Sequence, residues 1–274
     1  MRLGRLLAVA VLTLGLSTSA VAATGDLSPS DRYELGMKYM RRGYYTKALE
    51  QFNRLRNYHR DDPASVKAEL QIAEIYFKQS DFDQARYAYE DFARLHPRHP
   101  DLDLVTYRLG LAIWKRAPSA AGRDQTATRR AISTWSGFET RFPESEHLAE
   151  VSENLDIARE RLARKELWVA RFYAKRDAWG AVRGRCDELL HSYPDADVAP
   201  EALSLAARAA HAWGDTPAAQ AYRDQLAAAG DDAKALQRVD SLLASPAGVR
   251  PESEVFLRPY RMAGASSGAA DGGM

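Results

Sequence analysis

One cysteine, Cys186, stands in 274 residues. A single thiol excludes an intramolecular disulfide framework. A dominant charge is missing too: 38 Lys and Arg against 37 Asp and Glu leave a formal net charge of +1. Such a balance gives no long-range field toward nucleic acid, so no nucleic-acid partner is expected. The six histidines are scattered and show no metal-ligand spacing, so no metal is expected. A P-loop and a strand–glycine–helix dinucleotide fingerprint are both lacking, so no cofactor is expected. Gly264-Ala265-Ser266-Ser267-Gly268 does spell G-x-S-x-G. A nucleophile elbow needs a strand before it and a helix after it, and this stretch lies in a tail of small residues. Asp and Glu recur four residues from Lys or Arg, the mark of solvated helix faces. No catalytic set emerges, and the expected role is binding rather than catalysis.

Long apolar runs are scarce as well. Leu6 to Leu16 is too short to cross a bilayer comfortably. Arg2 and Arg5 precede it, and Ala20-Val21-Ala22 follows as a small-residue cleavage site. Residues 1–23 therefore read as a secretory signal peptide, with an uncleaved anchor helix as the other reading. A lipoprotein would carry a cysteine directly after the apolar run, where Ser17-Thr18-Ser19 stand instead. No N-terminal lipid anchor is expected.

What the chain does have is repetition. Leu35-Gly36, Tyr39, Gly43-Tyr44-Tyr45, Ala48 and Phe52 follow the tetratricopeptide pattern of helix A, glycine turn and helix B. The pattern returns at Tyr76, Asp81-Phe82, Ala85, Tyr89, Phe92 and Pro97, and again at Leu109-Gly110, Ala131, Trp135, Phe138 and Pro143. A fourth copy has Tyr173, Ala178-Trp179, Val182, Leu189 and Pro194; a worn fifth has Trp213-Gly214-Asp215 and Ala219. Small residues belong where two helices touch, and aromatic rings fill the space between them. One helix pair cannot bury its apolar face alone, so the pairs must stack. The fold class expected is all-α, a tetratricopeptide-repeat superhelical solenoid of about five helix pairs.

The expected organisation is three repeats over 24–145, then a long helix, repeats four and five and an end helix over 146–244. Residues 245–274 read as an extended or disordered tail. Ser30-Asp31 is expected to cap the first helix. The stretch 116–124 lengthens the third repeat's turn, either as a contact-bearing loop or as a tolerated insertion. Cys186 falls at a core aromatic position of the fourth helix B and should be a buried, inert thiol.

The run Ala178-Trp179-Gly180-Ala181-Val182-Arg183-Gly184-Arg185, after an inserted third repeat and a long helix, resembles the BamD family. That family is the tetratricopeptide component of the outer-membrane β-barrel assembly machine. Leu95-His96-Pro97-Arg98-His99-Pro100 followed by Tyr107-Arg108-Leu109-Gly110-Leu111 is similar to the same family's junction of second and third repeats. The likeness covers about Asp31 to Leu226 and departs at the missing lipid-bearing cysteine. It implies a protein at the periplasmic, inner face of the outer membrane that binds the POTRA region of the barrel-forming subunit. It also implies recognition of the C-termini of unfolded barrel precursors, with other assembly lipoproteins as further partners. Arg185 matches a family arginine that contacts the POTRA region, with Trp179 packing beside it; the other reading is a solvated arginine. A periplasmic Tol-Pal scaffold of the CpoB type is the alternative, but it usually carries a coiled coil ahead of its repeats.

In such stacks the A helices line a concave groove. Their register offers Tyr33, Met37 and Met40, then Leu70, Phe77 and Lys78, then Tyr107, Leu111, Trp114 and Lys115. Barrel precursors typically end in an aromatic residue with a free carboxylate. An apolar trough with a lysine in each of two adjacent repeats suits that end. These residues either line the groove or pack helix A onto its neighbour.

Overall fold

The computed structural model describes residues 27–230 and 232–248. The signal-peptide reading of residues 1–23, most of the expected tail and the G-x-S-x-G stretch lie outside them. Twelve helices and no strand occur among the described residues. They divide into two compact units that meet within the third helix, after Ala68.

The first unit holds α1 (Pro29–Arg41), α2 (Tyr45–Tyr58) and the start of α3 (Pro63–Lys78). Ser28 caps α1, its side chain accepting from the Asp31 amide at 3.1 Å. The cap therefore lies two residues ahead of the expected Ser30-Asp31. The reason is Pro29, whose fixed φ and missing N–H suit the first helical position. Gly43 then turns the chain in the left-handed region at φ +76°. Gly36 faces the Phe52 ring so closely that an added Cβ would sit 2.5 Å from it. Ala48, Phe52 and Leu55 are buried, and the nearly buried Arg32 donates to Gln51 Oε1 at 3.1 Å.

The second unit continues α3 and adds α4 (Phe82–Leu95), α5 (Leu102–Lys115), α6 (Thr126–Trp135) and the short α7 (Phe138–Arg141). It goes on through α8 (Leu148–Ala174), α9 (Trp179–Ser192), α10 (Ala199–Ala212), α11 (Thr216–Ala229) and α12 (Ala233–Leu243). From α4 to α6 each helix packs on the next; α6 packs on α8, and from α8 to α12 neighbours again pack in sequence. The repeat rule recurs here: Gly110 on α5 lies under the buried Trp135 indole of α6, where any Cβ would overlap it. Near the start of α9, Gly180 meets Trp213 in the same way. The third repeat departs from the pattern. Its helix stops at Trp135, because Ser136 turns extended and Gly137 takes φ +71°. Phe138 restarts a single turn and still reaches the core with 2% exposure.

Candidate partner-binding surfaces

Trp179 opens α9 and is half-buried against the core shared by α8, α9 and α10. The cation over its ring is Arg208 of α10, at 5.1 Å from the centroid. Trp179 thus anchors the start of the helix that carries Arg185, and the cation over its ring comes from Arg208 rather than Arg185. Arg185 is exposed, and its Nη1 donates to Glu166 Oε2 at 3.1 Å. One carboxylate uses one of five donors, so the guanidinium fork keeps capacity for a second acid. Arg183, two residues earlier, donates to Asp215 Oδ2 at 2.6 Å and to the Tyr222 hydroxyl at 3.3 Å, tying α9 to α11. Burial pushes the Cys186 thiol up to about 12, with Asp187 and Glu201 adding to the effect.

The groove residues divide between the two units. In the first, Tyr33, Met37 and Met40 are half-buried on α1. The Tyr33 ring lies 5.7 Å from that of Phe52, so it packs α1 onto α2. In the second, Phe77 and Lys78 end α3, while Tyr107, Trp114 and Lys115 lie on α5. Phe77, Tyr107 and Trp114 are half-buried on one core cluster. Each ring already has a neighbour. Arg108 lies 5.0 Å over Phe77, His147 stacks 4.7 Å from Tyr107, and Arg161 lies 3.7 Å over Trp114. Leu70 and Leu111, which share this register, are buried at 5% and 9% exposure and belong to the core rather than to a trough. Lys78 and Lys115 are exposed, and neither forms an ion pair among the described residues.

The stretch between α5 and α6 is strapped in place. Gln125 is fully buried; its Nε2 donates to the Pro118 and Ala120 carbonyls at 3.1 and 3.0 Å. Its Oε1 accepts from Thr128 Oγ1 at 2.6 Å. Arg161 of α8 reaches the Ala117 and Pro118 carbonyls, and the Trp168 ring lies against Gly122. Neither Gln125 nor Arg161 stands out in the sequence, because a polar residue's burial is set by the tertiary packing around it. Gln125→Ala is expected to remove three hydrogen bonds at a buried position and cost about 2 kcal/mol. Trypsin should then cut after Arg123 several-fold faster than in the parent chain; an unchanged cleavage rate would refute the clasp.

Among the described residues no group of three or more His, Cys, Asp or Glu is placed to hold a metal ion. No described helix is long and apolar enough to cross a membrane.

Paired helices closed by glycine–aromatic contacts define a tetratricopeptide protein. The chain belongs to the YfiO family, described as an outer membrane lipoprotein, whose profile matches residues 25–226. It is similar to the Neisseria meningitidis serogroup A outer membrane protein assembly factor BamD, 28% identical over 213 residues, 71% of this chain and 80% of the relative. The Vibrio cholerae protein of the same name is 27% identical over 225 residues, 79% of this chain and 92% of its own length. That of Pasteurella multocida is 30% identical over 182 residues, 63% and 70% of the two chains. The matched range ends before α12.

Proposed function

We propose that this chain is a protein-binding scaffold, without catalytic activity, that assists the assembly of β-barrel proteins into the outer membrane. The observation that carries the reading is the family match, which spans both units and nearly every repeat. Relatives that cover most of the chain bear the name of an outer membrane protein assembly factor. The chain acts on the periplasmic side of that membrane, bound to the POTRA region of the barrel-forming subunit and alongside other assembly lipoproteins.

Arg185 is the contact proposed for the POTRA region. Its open donors favour a carboxylate of the partner, shared with Glu166. Arg185→Ala should weaken binding of a purified POTRA fragment about tenfold while the urea midpoint stays put, since a surface ion pair contributes about 0–1 kcal/mol. Equal affinity in the variant would remove the assignment.

The proposed peptide site is the end of α3 and α5. Phe77, Tyr107 and Trp114 supply an aromatic wall, and Lys78 and Lys115 supply free cations for a terminal carboxylate. Tyr33, Met37 and Met40 are the corresponding proposals in the first unit. A labelled peptide ending in phenylalanine with a free carboxylate should bind the full mature chain. Amidating that end, or changing Lys78 and Lys115 to Ala, should weaken it about fivefold or more, most at low salt. Equal binding of the amidated and free-acid peptides would rule out the lysine pair.

A further inference from the structure

The 27-residue helix α8 treats its basic side chains in two ways. Arg159 pairs with Asp156 at 3.5 Å, Arg164 with Glu160 at 2.6 Å, and Arg171 with Glu201. Arg161 and Lys165, together with Arg176 two residues past the helix end, have no carboxylate ion pair among the described residues. Arg161 and Lys165 donate to loop carbonyls at 3.4 Å, and Arg176 to the Phe172 carbonyl at 3.0 Å. The acid that feels Lys165 is Asp124, whose carboxyl is held low first by its bond from Thr126.

Two of these cations share one helix face with two rings. At about 100° per residue, positions 161, 165, 168 and 172 fall within an arc of roughly 60°, and Arg176 follows two residues past the end of α8. Trp168 and Phe172 lie between the cations and are 47% and 41% exposed. Their rings are stacked at 6.3 Å and 23°, and Arg176 lies 3.6 Å over Phe172. From 161 to 172 the stripe runs about 17 Å along α8, at 1.5 Å per residue, and Arg176 extends it past the helix end. It presents a cation at each end, a third cation within it and aromatic surface between. Arg161 is partly desolvated, which disfavours its charge.

We propose that this stripe docks an acidic polypeptide segment in extended form, with carboxylates facing Arg161, Lys165 and Arg176 and one apolar side chain on the Trp168–Phe172 stack. About seven extended residues span the stripe at 3.3 Å each. Charge complementarity selects the partner: none of the three cations forms a carboxylate ion pair among the described residues, and rings are exposed between them. One flank argues for a single strand rather than a lipid surface. Glu160 and Glu201, in ion pairs with Arg164 and Arg171, lie along the same side of the stripe and would oppose a broad anionic plane. Glu166, the partner of Arg185, lies more than 100° round the helix, so this surface is separate from the Arg185 contact. The inference does not depend on the assembly function proposed above.

The test uses the full mature chain and a dye-labelled peptide, acetyl-Glu-Glu-Leu-Phe-Glu-Glu-Leu-amide. Both ends are blocked, so a site for terminal carboxylates would not register. Fluorescence anisotropy should show saturable binding that weakens as salt rises. Lys165→Gln with Arg176→Gln should weaken it at least tenfold, and Phe172→Ala about fivefold. Arg171→Gln, off the stripe, should stay within twofold. The same peptide with lysines for glutamates should not bind. Absence of saturable binding, or equal affinity across the variants, would overturn the proposal. So would phosphatidylglycerol vesicles that capture the chain through Lys165 and Arg176 without competition from the peptide. Tighter peptide binding after removal of residues 249–274 would assign the stripe to the chain's own tail and overturn it as well.

Discussion

Trp135→Ala should remove about 3–5 kcal/mol of folding stability, a large fraction of the roughly 5–15 kcal/mol a domain has. The indole is fully buried and packs with Leu111, Ile113, Ala131, Phe138 and Val151. Its Nε1–H donates to the Tyr107 carbonyl at 3.3 Å. Gly110, directly under the ring, has no side chain with which to refill that volume. The same geometry predicts a reversal of sign. Gly110→Ala in the parent chain puts a methyl group inside the ring and should cost about 1–3 kcal/mol. With Trp135 already Ala, the same change should be neutral or stabilising by up to about 1 kcal/mol, since alanine is the better helix former. Urea unfolding of the four chains measures the coupling. Additive effects would mean that the glycine–tryptophan contact does not set the α5–α6 approach.

The Cys186 thiol should react about a thousandfold more slowly in the folded chain than in the unfolded one. Its ionisation is pushed from 9.0 to about 12, so at any pH below 9 the thiolate fraction falls by about three orders of magnitude. The side chain is also fully buried, which adds to the protection. A chromogenic disulfide reagent at pH 8, with and without urea, reads the difference. Labelling should track global unfolding, and rapid native labelling would refute the burial. The sign with pH follows from the same shift. The folded chain keeps a proton that the unfolded chain gives up from about pH 9. This contribution is therefore complete below pH 9 and lost as pH rises to about 12. Tyr222, also raised to about 12 by burial and its bond to Asp187, acts in the same direction. Unfolding by alkali should therefore begin near pH 9 and grow steeper toward pH 12.

The repeat was legible because its chemistry is local and paired. Gly36 with Phe52, and Gly110 with Trp135, are small–large pairs whose spacing is fixed by one helix–turn–helix. The buried character of Cys186 followed from the same register. The break after Trp135 was harder to see: Phe138 keeps helical spacing, and only the left-handed Gly137 reveals the interruption. The cap at Ser28 was hidden by two further cap-forming residues, Ser30 and Asp31, just downstream. At the surfaces the sequence named residue types but not their partners. It offered Leu70 and Leu111 as groove residues because an A-helix face carries both core and concave positions, and burial alone separates them. Arg185 was identifiable by position, while its bond to Glu166 depends on how α8 and α9 pack. The unpaired cations on and just past α8 were invisible for the same reason, since this stretch carries many basic residues and pairing distinguishes them.

The most direct measurement of the central claim is capture of the tagged mature chain from cell-envelope extract, with identification of what comes with it. Recovery of a POTRA-bearing barrel protein in near-equal amount, reduced by Arg185→Ala, is the result predicted. Recovery of Tol-Pal components in its place, with no POTRA-bearing protein, would contradict the account.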